Sequence, residues 1–425
     1  MVRDLFRRAG GKCLSLAGAL MLMCSTHVAQ AQCYSIEDAI FHAAEISPQV
    51  ASAGYLVEQS EYTVEGLKAQ KKPQVSAFAR TGRGDGSLQS GQLDNQFGVE
   101  LSYRLYDFGK SSMRVKGAKA EAEAGESNVD RIQRAVADEL LQSLVRLKLS
   151  ESILAIYERR LDVLNARVEK AREQLEDNTI TIMDVSRLEA DAATMRYEVQ
   201  DAKVQAESAL IVVQRILKDD QACVATDELF AFFLAHKAED LDDLVADLQN
   251  APQLVEIEKR IEAADYQRRS AAREWMPEVS ASAFSSQVYN DFTDQYVARD
   301  RVGIQVIAPL YDGGVRQSET GRLRSRVNQL RAEYQAAEDR LRQQKLTSWT
   351  SVLSLEASMV TLEEALNSSK SFVDATQKRY DFRAGTVDEL LQAEERLMNL
   401  QIRYQYIQAE HYYVMIDLLK FDLLD

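Results

Sequence analysis

The chain repeats a short segment at about half its length. The segment LYDFG, residues 105–109, returns as LYDGG, residues 310–314. Upstream of these segments, KPQVSAFA at residues 72–79 matches MPEVSASA at residues 276–283. Repetition in a fixed order indicates an internal duplication, which restricts the fold to two similar halves.

The first residues predict a secretory signal peptide. A basic start is followed by an apolar run at residues 13–23 and by the small-residue motif Ala29-Gln30-Ala31. We predict cleavage after Ala31, and the apolar run is too short to span a membrane. Lipidation at Cys33 is the less favoured alternative, because Gln32 stands where a small residue is needed. The chain therefore divides into a signal peptide (1–31), a first structural repeat (32–218), an inter-repeat equatorial segment (219–250) and a second structural repeat (251–425).

Each half contains two runs in which apolar and polar residues alternate. They lie at residues 75–79 and 97–103 in the first half and at 279–283 and 302–308 in the second. A period of two predicts strands whose two faces differ. The Gly/Ser/Asn-rich segment at residues 81–95 predicts a hairpin loop, since its GRGDG sequence lacks the Lys-Ser/Thr of a phosphate loop and the carboxylate ladder of a calcium loop.

A helix precedes the strands and very long helices follow them. Ser35 and Asp38 form an N-capping pattern, and we expect this first helix to end at a proline. After each LYD segment, apolar residues recur every seven positions, through residues 147–175 and 327–380. Such spacing predicts coiled-coil helices of about 60 residues, roughly 90–100 Å long. Each helix is expected to turn, near residues 177–179 and 384–386, into a second long helix that ends near Leu217 or Leu424.

The repeated LYD segments mark the junctions between strands and long helices. Tyr106 and Tyr311 suit a membrane interface, because a tyrosine ring is apolar and its hydroxyl is polar. The glycines that follow permit a change of backbone direction. Pro309 precedes the second segment, whereas Arg104 occupies the matching position in the first, so we expect the local bend to differ there.

Alternating strands in a secreted chain predict an outer-membrane β-barrel, which four strands cannot close. The smallest such barrels have about eight strands, and a larger barrel leaves a lumen. The predicted fold is therefore mixed α and β, mostly α, and internally duplicated. Three copies, each giving four strands, would form a trimeric 12-stranded outer-membrane β-barrel, continued by a long periplasmic α-helical barrel.

The duplicated order of proline, two strands, PLYDGG, long helix and GTV…LL resembles the TolC family of outer-membrane exit ducts. The resemblance covers about residues 34–424. It implies a homotrimer in outer-membrane lipid that works with a periplasmic adaptor (a membrane fusion protein) and an inner-membrane transporter, ABC or proton-driven. The segment LYDFGK is similar to members that serve type I secretion of adhesins. Small-molecule or drug efflux is the alternative, and a periplasmic coiled-coil adaptor without a pore would explain the heptads but not the strands.

The resemblance also implies a pore constriction at the helix turns. Asp184 and Glu389 match acidic positions of the family, and Gln392 stands where a second acidic residue is usual. Val387 replaces a latch arginine, and Phe382 takes the place of a latch tyrosine. The alternative is that these acidic residues only face water at helix N-termini, where the helix dipole favours them.

Composition and cysteines narrow the remaining possibilities. Cys33 and Cys223 follow the signal peptide, and we predict a disulfide between them, the alternative being two unpaired small residues. A net charge of −15 argues against nucleic acid as a partner. His42, His236 and His411 are too scattered for a metal site. We expect no enzyme activity and no cofactor, since the chain lacks a phosphate-loop pattern and a recognisable triad.

Overall fold

A computed structural model describes residues 33–81, 83–86, 89–93, 95–177, 179–236, 240–290, 293 and 295–419. The predicted signal peptide lies outside these residues. The first half consists of α1 (Ile36–Ile46), α2 (Pro48–Ala69), β1 (Gln74–Arg80), β2 (Arg83–Gly86), β3 (Gln89–Leu93), β4 (Gln96–Tyr106), α3 (Lys110–Glu176) and α4 (Ile182–Leu217). Two short helices come next, α5 (Leu229–His236) and α6 (Leu241–Asp247). The second half consists of α7 (Pro252–Ala272), β5 (Glu278–Asn290), β6 (Gln295–Ile307), α8 (Val315–Asp381) and α9 (Val387–Ile416).

The order helix, strands, long helix, long helix occurs in both halves, so the prediction of a mostly α, internally duplicated fold is confirmed. Helices α3 and α8 each have 67 residues, or about 100 Å at 1.5 Å per residue. Helix α4 ends at Leu217, as predicted. Helix α9 ends at Ile416, and Leu424, where its end was expected, lies outside the described residues.

The first helix ends before a proline, as predicted, but a second helix and not a strand follows it. Helix α1 ends at Ile46, but Pro48 then begins a second helix, α2, before any strand. Pro252 begins α7 in the same way. Proline is tolerated at the first helical position because the N–H that it lacks would have no partner there. The Ser35 cap is present, with the backbone N–H of Asp38 donating to Ser35 Oγ at 3.1 Å.

The strands form one antiparallel sheet in the order β1-β4-β5-β6, with β1 and β6 at its edges. The segment predicted as a loop contains a further strand pair, because β2 and β3 form their own antiparallel hairpin between β1 and β4. The helices all join the sheet at the opposite end from this hairpin. The hairpin therefore lies at the end of the four-stranded sheet that is distal to the helices.

The two faces of the four-stranded sheet differ, as the alternation predicted. One face, the apolar face, contains Val75 of β1, Val99 and Leu101 of β4, and Val302 and Ile304 of β6. The register places Val75 beside Leu101. Val302 is 85% exposed in the single chain. The opposite or polar face contains the residues between these positions, which include serines, glutamines and arginines.

The main hydrophobic core lies where the two halves meet, about midway along the long helices. Leu140, Leu141 and Leu144 of α3 are fully buried there with Phe233 of α5 and Met415 of α9. The residues between the halves thus fasten the long helices by burying apolar surface.

A disulfide joins Cys33 and Cys223 beside this core, with their Cα atoms 4.5 Å apart. Backbone hydrogen bonds flank it: the Tyr34 N–H donates to the Cys223 carbonyl at 2.8 Å, and the Ala225 N–H donates to the Tyr34 carbonyl at 3.2 Å. The start of the first half is therefore fixed to the segment between the halves.

Candidate functional site

The repeated LYD segment ends a strand and caps a long helix. In the first half, the carboxylate of Asp107 accepts hydrogen bonds from the backbone N–H groups of Gly109 at 3.0 Å and Ser111 at 2.8 Å. Gly109 adopts a φ of 82°, a left-handed conformation that favours glycine. The aspartate thus satisfies N–H groups that the first turn of α3 leaves without helical partners.

The second half repeats this arrangement. Asp312 accepts from the N–H groups of Gly314 at 3.0 Å and Arg316 at 3.1 Å. Gly314 has a φ of 92°. The tyrosines and glycines of this motif were given roles from the sequence, but the aspartates were not, although an Asp two residues before a turn glycine is itself a capping signal.

These hydrogen bonds stabilise the charged form of both aspartates. The N–H groups of Gly314 and Arg316 hold the pKa of Asp312 below its usual value. At Asp107, burial acts to raise the pKa, but the hydrogen bonds from Ser111 and Gly109 outweigh it and the net pKa is lowered. A depressed folded-state pKa adds stability above the unfolded pKa of about 3.9, and this stability is lost as the pH falls below it.

The structure explains the difference between Arg104 and Pro309. Strand β6 ends at Ile307, two residues before Pro309, whereas β4 continues through Arg104 to Tyr106 with a register shift between them. Proline has no N–H to donate to a sheet and so favours the end of pairing. Arg104 instead pairs with Glu278 of β5, with Nε and Oε1 2.8 Å apart.

Aromatic side chains lie at both ends of the apolar face. At the hairpin end, Phe97 and Tyr289 each contact Tyr296, with ring centroids 5.4 Å apart in both pairs. At the helix end, Tyr106 contacts Phe108, and Tyr311 is 91% exposed. Tyr106 lies nine positions after Phe97 along β4, which is about 30 Å. Two aromatic bands around an apolar band of this height are the pattern of an outer-membrane strand wall.

The predicted constriction residues lie where the long helices turn, far from the sheet. Asp184 belongs to a capping box, in which its carboxylate accepts from the N–H of Thr181 at 3.1 Å and from its hydroxyl at 2.7 Å. Glu389 lies at the equivalent turn of the second half, with a carboxylate oxygen 3.7 Å from Arg379. The structure therefore gives each carboxylate a partner within its own turn.

A different pair links the two turns. Arg187 of α4 lies 3.7 Å from the carboxylate of Asp388 of α9. Gln392, one of the predicted constriction residues, donates to the same carboxylate at 2.7 Å. Across the turns, burial and the charge of Asp184 raise the pKa of the Tyr380 hydroxyl. The structure thus brings Gln392 close to Asp388, whereas the Arg187–Asp388 pair was not predicted from the sequence.

The two residues at the latch positions, Phe382 and Val387, differ in burial. Phe382 follows the last residue of α8 and is 82% exposed. Val387 is buried in a small apolar cluster with Val185, Leu188 and Leu391. Where the family resemblance implies an arginine, this chain therefore places a packing residue.

A buried ionic cluster lies above the turns. The carboxylate of Glu394 on α9 binds Arg160 and Arg167 of α3, and Arg167 also donates to Gln377 of α8 at 2.7 Å. Glu394 is buried, and the side chains of Arg160 and Arg167 are only 10% and 18% exposed. This Arg160–Glu394–Arg167 cluster connects α3 of the first half with both long helices of the second half, α8 and α9.

The architecture and the membrane-type face agree with a comparison against known families. The model of a family described as outer membrane efflux protein matches residues 40–217 and 245–412. The chain belongs to the outer membrane efflux protein family. The resemblance to the TolC family that the motifs indicated is thereby confirmed, and so is the outer-membrane localisation with a periplasmic extension.

The relatives have low sequence identity to this chain, but they align with most of its length. The outer membrane efflux protein BepC of Brucella suis biovar 1 (strain 1330) is 21% identical over 365 residues, covering 84% of this chain and 78% of BepC. Among solved structures, CusC has a TM-score of 0.76 at 16% identity, covering 92% of this chain and 91% of CusC. VceC of Vibrio cholerae has a TM-score of 0.73 at 18% identity, covering 90% of this chain and 94% of VceC.

In the part of the chain that the structure describes, no helix is both long and apolar enough to cross a membrane.

Proposed function

We propose that this protein is the outer-membrane exit duct of a tripartite export system, in which three copies close a 12-stranded barrel. The observation that carries the proposal is a four-stranded sheet that has edge strands β1 and β6 and an apolar face between two aromatic bands. A sheet edge cannot face lipid, because its N–H and C=O groups would lack partners. Pairing β6 of one copy with β1 of the next satisfies both edges.

Exposed apolar residues on the helices support lateral contacts between copies. Tyr197 and Ile211 of α4 and Val360 and Phe372 of α8 are all more than half exposed in the single chain. Large apolar side chains of this kind favour burial against a partner. Three copies would then form a periplasmic helical barrel, whose turns meet an adaptor and an inner-membrane transporter. The division into repeats at 32–218 and 251–425 around an equatorial segment belongs to the same proposal.

The oligomeric state tests the duct directly. We expect light scattering in detergent to give the mass of three mature chains, and the protein to form channels in planar bilayers. Val302→Arg places a charge at the middle of the apolar face, which costs about 2–4 kcal/mol at the bilayer midplane and should abolish insertion. Gln305→Arg, on the polar face of the same strand, is the matched control and should insert normally. A stable monomer or dimer, or equal insertion of the two variants, would contradict the proposal.

The cargo we propose is a polypeptide, as in type I secretion, because LYDFGK is similar to family members with that role. Small-molecule efflux is the second candidate, and the similarity to BepC, an outer membrane efflux protein, favours it. Deletion of the gene distinguishes them. We expect loss of a large secreted protein from the medium with unchanged susceptibility to antibiotics and detergents. Unchanged secretion together with raised susceptibility would replace the first candidate with the second.

A further inference from the structure

The polar face of the sheet contains an aromatic pair that the proposed duct does not require. Phe78 of β1 and Phe284 of β5 stack with ring centroids 5.4 Å apart and an interplanar angle of 12°. The guanidinium of Arg80 lies over the Phe78 ring, 5.0 Å from its centroid. Both rings are partly exposed on the side that faces away from the apolar residues.

Gly98 of β4 allows the rings to approach. The register places Gly98 between Phe78 and Ser286, and a Cβ on Gly98 would lie 2.4 Å from the Ser285 carbonyl oxygen. With no side chain between them, the flanking rings meet across β4. Covering a strand glycine is a known packing role for one aromatic residue. That role accounts for Phe78, but not for the arginines that share this face.

Two arginines of β6 lie in the same cross-strand rows as the rings. Arg301 is the register partner of Phe284, and Arg299 is the partner of Ser286. Both arginines are exposed. Glu100 is the acidic member of these rows, because it pairs with Phe284 on the other side. With Arg80, this part of the polar face has three arginines and one glutamate. It is therefore positively charged, although the whole chain has a net charge of −15.

The arginines lie on the edge strands, where neighbouring copies would meet. Arg80 is on β1, and Arg299 and Arg301 are on β6. If β6 of one copy pairs with β1 of the next, each β6–β1 interface brings arginines from both copies close to an aromatic pair. A charged lining in a confined lumen attracts counter-ions strongly, because low-dielectric walls focus its field.

We propose that the outer half of the barrel lumen holds a binding site for small aromatic anions, formed by Phe78, Phe284, Arg80, Arg299 and Arg301. The stacked rings offer an apolar surface for a flat ligand, and the arginines bind its sulfonate or carboxylate. The site rests on the proposed duct, since only barrel closure turns the polar face inward. It does not depend on which cargo the duct exports.

Block of single channels by a matched set of probes tests the site. 1-Naphthalenesulfonate carries the ring and the anion, methanesulfonate only the anion, and 1-naphthylmethylammonium the ring with a positive charge. We expect 1-naphthalenesulfonate added from the barrel side to block the channel at a concentration about tenfold lower than either of the others. The double variant Arg299→Gln/Arg301→Gln and the variant Phe284→Leu should each remove this preference.

Arg324→Gln, on α8, removes an arginine charge outside the β-barrel. This control variant should retain the preference for 1-naphthalenesulfonate. Isothermal titration of the detergent-solubilised protein with 1-naphthalenesulfonate separates the site from the duct. A wild-type protein that binds the probe through these residues but conducts no ions contradicts transport through the duct and leaves the site in the closed barrel. A conducting wild-type protein that is blocked equally by the three probes, or whose block survives both variants, overturns the site.

Discussion

Glu394→Ala is expected to lower the free energy of unfolding by about 3–5 kcal/mol, because it leaves two largely desolvated arginines without the buried carboxylate that pairs with them. Arg160 and Arg167 converge on this one side chain from α3, and the surrounding surfaces are mostly out of water. The uncompensated charges would have to be hydrated, which would separate α3 from α9. The expected result is an earlier loss of helical circular dichroism on heating in detergent.

Glu395→Ala is the matched control, because it removes an equal charge one residue further along α9 from an exposed position. It should change stability by less than about 1 kcal/mol, the usual range for surface ion pairs. The triple variant Arg160→Met/Arg167→Leu/Glu394→Leu should recover much of the loss, since replacing a complete buried ion cluster by apolar residues is often neutral. Equal melting of Glu394→Ala and Glu395→Ala would show that the cluster does not hold the helices together.

The features that follow from local periodicity could be predicted from the sequence. The strands, the 67-residue helices and their turns each depend on the spacing of apolar residues within one segment. The hairpin β2–β3 could not be predicted in this way, because its pairing involves glycines and polar residues with no alternating pattern. Helix α2 was not predicted as a separate helix, because a proline is compatible both with the end of one helix and with the first position of the next.

The ionic contacts between the halves were beyond prediction for a different reason. A glutamate in a heptad pattern is normally assigned to the solvent-facing side, because carboxylates are rarely buried. Glu394 is buried only because Arg160 and Arg167 lie on a helix more than 200 positions away in the chain. The pairing of Arg187 with Asp388 likewise requires knowing which turns are adjacent. Family resemblance pointed to the right turns but not to these partners.

At the turns themselves, Glu389→Ala is expected to weaken cation selectivity and block by divalent cations. Three copies would place three Glu389 carboxylates near the axis of the helical barrel, where like charges in a narrow mouth attract cations. Arg379 lies 3.7 Å from each carboxylate and offsets part of its charge. Arg379→Ala should therefore strengthen cation selectivity, opposite to Glu389→Ala, while Glu410→Ala, an exposed acidic change far along α9, should leave it unchanged.

Closure of the mouth is expected to depend more on Phe382 than on this charge. Val387 has no charge and is buried in the packing of the turns, so it cannot replace the ion pair of a latch arginine, whereas the Phe382 ring is exposed beside the turn. A large apolar side chain that narrows a wet passage hinders ion flow by dewetting it. Phe382→Ala should then raise single-channel conductance more than Glu389→Ala does, with Phe382→Leu intermediate. Recordings in planar bilayers measure both quantities together, and unchanged selectivity in Glu389→Ala with unchanged conductance in Phe382→Ala would place the constriction elsewhere along the duct.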